Sequence, residues 1–177
     1  MPRLIEVLRQ IDKWYLRLLW LMMATAAVYI GLTMVAIVYS TTFRYFGWSY
    51  SPYTFTFIEY GFLYTLMLGS PWLVRHRGHV YIEIITAAVP DRVRNVLSRF
   101  VALLCAFVCL VFTWYLGALA LDDFNTSKYD ELRAQLDIQR WVVTSVLPLG
   151  FGLMTVEFLR FVFARETMHT GVAGVHE

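Results

Sequence analysis

The sequence predicts an all-α membrane protein with four transmembrane helices and a short interfacial helix between the second and third. Three observations carry this reading. The 177-residue chain is 59% hydrophobic and only 16% charged. Soluble domains carry about 25% charged residues, so a soluble fold of this size could not hide so much apolar surface. The apolar residues also fall in long runs of the length that a bilayer demands, about 20 residues. Finally, arginine and lysine gather at alternate ends of those runs, as membrane orientation requires. Intrinsic disorder is excluded, because it needs low hydrophobicity.

Each element follows in order. The first span falls at about 17–41, since no charge separates Leu18 from Phe43. Ala24-Thr25-Ala26 resembles a signal cleavage site, but only six apolar residues separate Arg17 from Ala24 and the apolar run continues to Tyr39. A signal sequence ends its apolar core at the cut, so an uncleaved helix is expected. The second span, 53–74, holds one charge, Glu59. Val80 to Val89 is mostly apolar but too short to cross, and suits a helix lying in the interface over 79–89 until Pro90-Asp91 ends it. The third span, 97–121, contains Cys105 and Cys109, four apart on one face. They read as small packing residues, not as a disulfide framework. Trp114 lies deep in this span and is expected to pack between helices.

Ser127 with Asp130 forms a capping-box pattern. It predicts a helical extension from near Lys128 into the fourth span, 141–163. Pro148, followed by Gly150 and Gly152, predicts a kink there. Trp14, Trp48, Trp72 and Trp141 fall near span ends, where amphipathic rings prefer the interface. Lipid leaves no backbone group unpaired, so helices are the natural form of these runs. Residues 1–166 form one membrane domain and 167–177 a mobile cytoplasmic tail.

Orientation follows from the loops. Arg3, Arg9, Lys13 and Arg17 precede the first span; Arg75, Arg77, Arg92, Arg94 and Arg99 fill the second loop; Arg160 and Arg165 end the fourth. On the other side stand only Arg44, Lys128, Arg133 and Arg140. The bias places both termini in the cytoplasm. Asp122, Asp123, Asp130, Glu131 and Asp137 give the third loop an acidic outer face.

Catalytic constellations are missing from the sequence. It has no glycine-rich phosphate loop and no zinc spacing, and His76, His79, His169 and His176 all lie outside the spans. A haem-bearing anchor of a redox enzyme would offer ligands from within its helices, so that alternative is disfavoured. No cofactor, metal or nucleic-acid partner is expected. Glu59 is the one ionisable group well inside a span, about 9 Å from Tyr53 at the helical rise. It reads as a contact with Arg44 or with a partner's cation. As a proton-coupling carboxylate it would instead mark a self-sufficient exporter. Glu157 and Arg160, three apart, pair locally. The basic second loop also suits anionic lipid headgroups. A self-sufficient transporter usually shows repeats and a midplane site of broken helices. This chain shows neither, and points to an accessory membrane subunit.

Specific residues then become informative. Arg44-Tyr45-Phe46-Gly47 follows the first span, and the second ends Met67-Leu68-Gly69-Ser70. Next come Arg75-His76-Arg77-Gly78-His79-Val80-Tyr81-Ile82-Glu83 and Ala87-Ala88-Val89-Pro90-Asp91-Arg92-Val93-Arg94. The last span carries Trp141 and then Pro148-Leu149-Gly150-Phe151-Gly152-Leu153-Met154. Together, over about residues 10–163, these resemble the small membrane subunit (DctQ type) of tripartite ATP-independent periplasmic (TRAP) transporters. The chain departs from that pattern at the start of the second span. Tyr53, Phe55 and Thr56 stand where many members carry a tryptophan and paired acids, and Glu59 follows on about the same face. The family's aspartate after the histidine is Glu83 here.

The resemblance implies a bacterial inner-membrane protein that assembles with a large DctM-type permease subunit. A periplasmic binding protein of DctP type would deliver the solute, often an organic acid, and a sodium gradient would drive uptake. The small subunit would brace the large one and help dock the binding protein. A bundle of four helices would supply a large packed face, with Gly61, Gly69, Gly117 and Ala118 allowing close approach. Arg44, Glu59, Arg75, Arg77, His79 and Glu83 are the expected subunit or lipid contacts.

Overall fold

The computed structural model describes residues 2–49, 51–76, 90–129 and 138–163. Among them are five helices: α1 (Pro2–Tyr45), α2 (Pro52–Arg75), α3 (Asp91–Asn125), α4 (Arg140–Thr144) and α5 (Val146–Phe163). The expected interfacial helix at 79–89, with Arg77, His79 and Glu83, lies outside the described residues, as does the 167–177 tail.

Among the described residues, three segments are long and apolar enough to cross a membrane: Arg9–Tyr45, Arg92–Asn125 and Arg140–Phe163. The 24-residue α2 is not among them. Its tyrosines, Glu59, Ser70 and Pro71 lower its mean hydropathy, although it is long enough to span at about 36 Å. Helix α1 reaches 44 residues, about 66 Å, and so extends well beyond a hydrocarbon core of about 30 Å.

Helix α1 meets its neighbour along one narrow seam. Asp12, Leu19, Ala26, Thr33 and Ser40 recur every seven residues, with Tyr15, Met22, Tyr29 and Ala36 interleaved at the same period. Leu19, Ala26 and Thr33 are buried. This heptad spacing keeps a single seam turned toward one partner helix. Opposite it, α2 approaches closely at Gly61: a Cβ there would lie 2.6 Å from Tyr29 Cε1 and 2.8 Å from Thr33 Oγ1.

Helices α2 and α5 occupy the middle. Pro71 lies inside α2 and has no N–H to give the Met67 carbonyl. Gly150 of α5 crosses at that point, where a Cβ would lie 2.9 Å from Met67 O. Beyond α5 comes α3, whose buried seam is built from small residues, Ser98, Ala102, Ala106 and Cys109. These pack with Val74, Met154, Phe158 and Phe161 in the main core, and Phe112 stacks on Phe151 at 5.0 Å between centroids. The two cysteines serve packing, as expected.

The extensive contacts therefore run α1–α2–α5–α3. This is an open row: among the described residues, α1 and α3 do not pack extensively on each other. Each flanking helix presents a broad apolar face, with Trp20, Leu21, Val28 and Val35 on α1 and Phe100, Phe107 and Trp114 on α3. Trp114 is 76% exposed, so its expected packing within the chain is not found.

Two further expectations are corrected. No helix runs unbroken from Lys128 into the last span. Helix α3 ends at Asn125, Ser127 adopts a left-handed φ of 48°, and Tyr129 pairs with Gln139 as an isolated bridge. The last span thus starts afresh at Arg140, while Asp130 of the expected capping box lies outside the described residues. The proline break is real but lies one turn before Pro148, at Ser145. Its cause is local: the Pro148 ring displaces the carbonyl four residues back, that of Thr144, and cannot bond it.

Candidate functional site

Two charged clusters mark opposite ends of the row. At the end bearing the N-terminus, Arg75 closes α2. Its Nη2 donates to Asp12 Oδ1 of α1 at 2.8 Å, and its Nη1 donates to Glu157 Oε1 of α5 at 3.0 Å. Arg160 Nη1 reaches the other Glu157 oxygen at 3.4 Å. The Glu157 side chain is fully buried and that of Arg75 is 8% exposed. The Arg75 guanidinium also lies 5.6 Å from the centroid of the Tyr15 ring. Burial pulls the Arg75 pKa down, but its hydrogen bonds to Asp12 and Glu157 outweigh that and raise it. The cluster is a clamp across α1, α2 and α5.

At the other end, Asp123 is fully buried. Its Oδ2 accepts from Thr144 Oγ1 at 3.2 Å and faces Arg140 Nε at 3.4 Å, which pins α3 to α4. Its Oδ1 has no hydrogen-bond partner among the described residues. The sequence placed Asp123 on an acidic outer face; the structure turns it inward. Neighbouring Asp122 does stay outside, paired with Lys128 at 2.7 Å.

Two apolar openings along the helices, among those the described residues form, bear on transport. A groove of about 610 Å³ runs along α3 beside Val111, Trp114, Gly117 and Leu121. A smaller one, about 300 Å³, lies among Tyr29, Thr56, Tyr60, Tyr64 and Val142, where Tyr64 Oη donates to the Val142 carbonyl at 2.6 Å. No charged side chain lines either opening. Such linings suit hydrocarbon or a packed helix better than an ionic solute.

The structure does not gather the sequence-predicted contact residues into one site. Arg44 is exposed near the end of α1. Glu59 is exposed on the narrow outward stripe of α2 with Phe55, Phe62 and Leu66. Arg75 is engaged inside the chain, and Arg77, His79 and Glu83 lie outside the described residues. The expected Glu157–Arg160 pair is present, but the closer partner of Glu157 is Arg75. Sequence reasoning missed Asp12; the seven-residue period it shares with Leu19 and Ala26 is the signal that marks it. The family model for the DctQ component of tripartite ATP-independent periplasmic transporters matches residues 33–167. No curated protein and no solved structure matches the chain.

Proposed function

Because the chain belongs to the DctQ family of tripartite ATP-independent periplasmic transporter components, we propose that it is the small subunit that braces a large permease while that partner moves solute. The family is a transporter component, not an enzyme family, and works with DctM and DctP components. In this reading the chain sits in the bacterial inner membrane with both termini cytoplasmic. Helix α2 is its fourth span, with Thr56 and Ser70 buried and Glu59 on its outward stripe. A sodium gradient drives uptake of organic acids or similar solutes through the large subunit, and the outer end of the row helps dock the binding protein. Arg44, Glu59, Arg77, His79 and Glu83 hold subunit or lipid contacts, whereas Arg75 serves the internal clamp first.

One observation carries the bracing role. The buried charges of the middle helices neutralise one another, while the flanking helices turn broad apolar faces outward. A transport pathway requires polar groups that converge on a cavity, and this row spends its buried Arg75, Glu157 and Asp123 on holding helices together. Reconstitution tests the reading. Solute flux is expected only when the small subunit, the large subunit, the binding protein and a sodium gradient are all present. Robust flux from this chain alone in liposomes would overturn it and restore the exporter alternative.

A further inference from the structure

On α1, Arg9, Lys13 and Arg17 follow one another every four residues, and all three are exposed. They line a groove with Trp14, Gln10 and the acidic Glu6, so the groove still carries a net positive charge. The Arg17 guanidinium lies 5.3 Å from the centroid of the Trp14 ring. At 100° per residue, the centre of this stripe lies about 140° around the helix from the Leu19–Ala26–Thr33 seam. The same face continues into the membrane-length segment as Trp20, Val28 and Val35, which are 52%, 64% and 67% exposed. Between them Gly31 has nothing within 4 Å of where a Cβ would stand. A rigid helix thus offers, on one line, about 12 Å of cationic surface followed by an open apolar track.

We propose that this face of α1 binds an anionic phospholipid, its headgroup held by Arg9, Lys13 and Arg17 and an acyl chain laid along Trp20, Val28 and Val35. The chemistry is matched end to end. Phosphate oxygens accept from guanidinium and ammonium groups, the Trp14 indole sits at the polar–apolar boundary where such rings prefer to lie, and the apolar track has no use in water. A free phosphate would engage only the cationic third of the face. The inference needs α1 in a bilayer but does not depend on the bracing role.

The full-length chain in neutral detergent, titrated with phosphatidylglycerol and followed by native mass spectrometry, tests this. Each juxtamembrane cation contributes about fivefold to anionic-lipid binding. The Arg9→Gln/Lys13→Gln/Arg17→Gln variant should therefore bind about a hundredfold more weakly. Removing an equal charge elsewhere, with Lys128→Gln/Arg133→Gln/Arg165→Gln, should leave binding within a few-fold. Phosphatidylcholine should bind poorly, and millimolar inorganic phosphate should not displace bound phosphatidylglycerol. In the wild type, tryptophan quenching by brominated phosphatidylglycerol should exceed quenching by brominated phosphatidylcholine and should fall as salt is raised. Equal losses from the two triple variants, displacement by inorganic phosphate, or equal quenching by the two lipids would each overturn the proposal.

Discussion

Replacing Arg75 by alanine strands the buried Glu157 carboxylate beside the weaker Arg160 contact. Breaking a buried pair from one side costs about 3–5 kcal/mol, and denaturant unfolding in detergent should show a loss of that order. The Arg75→Met/Glu157→Met pair should recover most of it, because the uncompensated charge is then gone. Glycines give a second contrast. Gly150→Ala drives a methyl against the Met67 backbone at 2.9 Å and should destabilise by about 1–3 kcal/mol. Gly31→Ala meets open space and should stabilise by up to about 1 kcal/mol through helix propensity. Thermal unfolding of the two variants should shift in opposite directions. At this scale the sequence was only partly legible. The Glu157–Arg160 pair follows from spacing, but Arg75 reaches Glu157 across 82 positions, and no local pattern announces such a contact. Gly61 was anticipated as a close-approach site and is one, whereas Gly69 and Gly117 make only ordinary contacts at 3.8 and 3.9 Å.

The break between α4 and α5 shows how one residue acts on a whole element. Pro148→Ala supplies an N–H for the Thr144 carbonyl and removes the ring that displaces it, so the two helices should fuse. Hydrogen exchange should then reveal a newly protected amide at position 148 and slower exchange at 145–147. Fusion also rotates Arg140 and Thr144 relative to Asp123, and stability should fall even though the helix becomes more regular. The long elements were legible because hydrophobic runs of membrane length have few alternatives. Their ends were less so. The Ser127–Asp130 pattern is a true helix-start motif in isolation, but Ser127 is taken up by the end of α3, where its N–H bonds the Phe124 carbonyl at 3.3 Å. Helix α2 shows a different limit. Its composition is diluted by residues that face other helices, and it falls short of the membrane criterion on composition.

The open row sets expectations for the molecule as a whole. If α1 and α3 are the faces that meet lipid or a large partner, cysteines at Val28, Val35, Phe107 and Trp114 should crosslink outward. Cysteines at Ala26 and Ala106, both buried, should not. Glu59→Gln should weaken copurification with the large subunit yet leave transport by the assembled complex intact. Loss of transport from an intact assembly would instead give this carboxylate the coupling role. The seven-residue period of α1 was present in the sequence all along, and it implies that α1 packs extensively on one neighbour. The row arrangement as a whole was not readable, because it depends on which helices meet across loops.

The clip at the end away from the N-terminus has a last consequence. The Arg140 amide bonds the Lys128 carbonyl at 2.9 Å, so Tyr129 and Gln139 are held at nearly the same place. Once a loop's mouth is tied, doubling its length costs only about 0.6 kcal/mol in closure entropy. An epitope or a reporter threaded in between those two residues should therefore leave the thermal unfolding of the helices nearly unchanged.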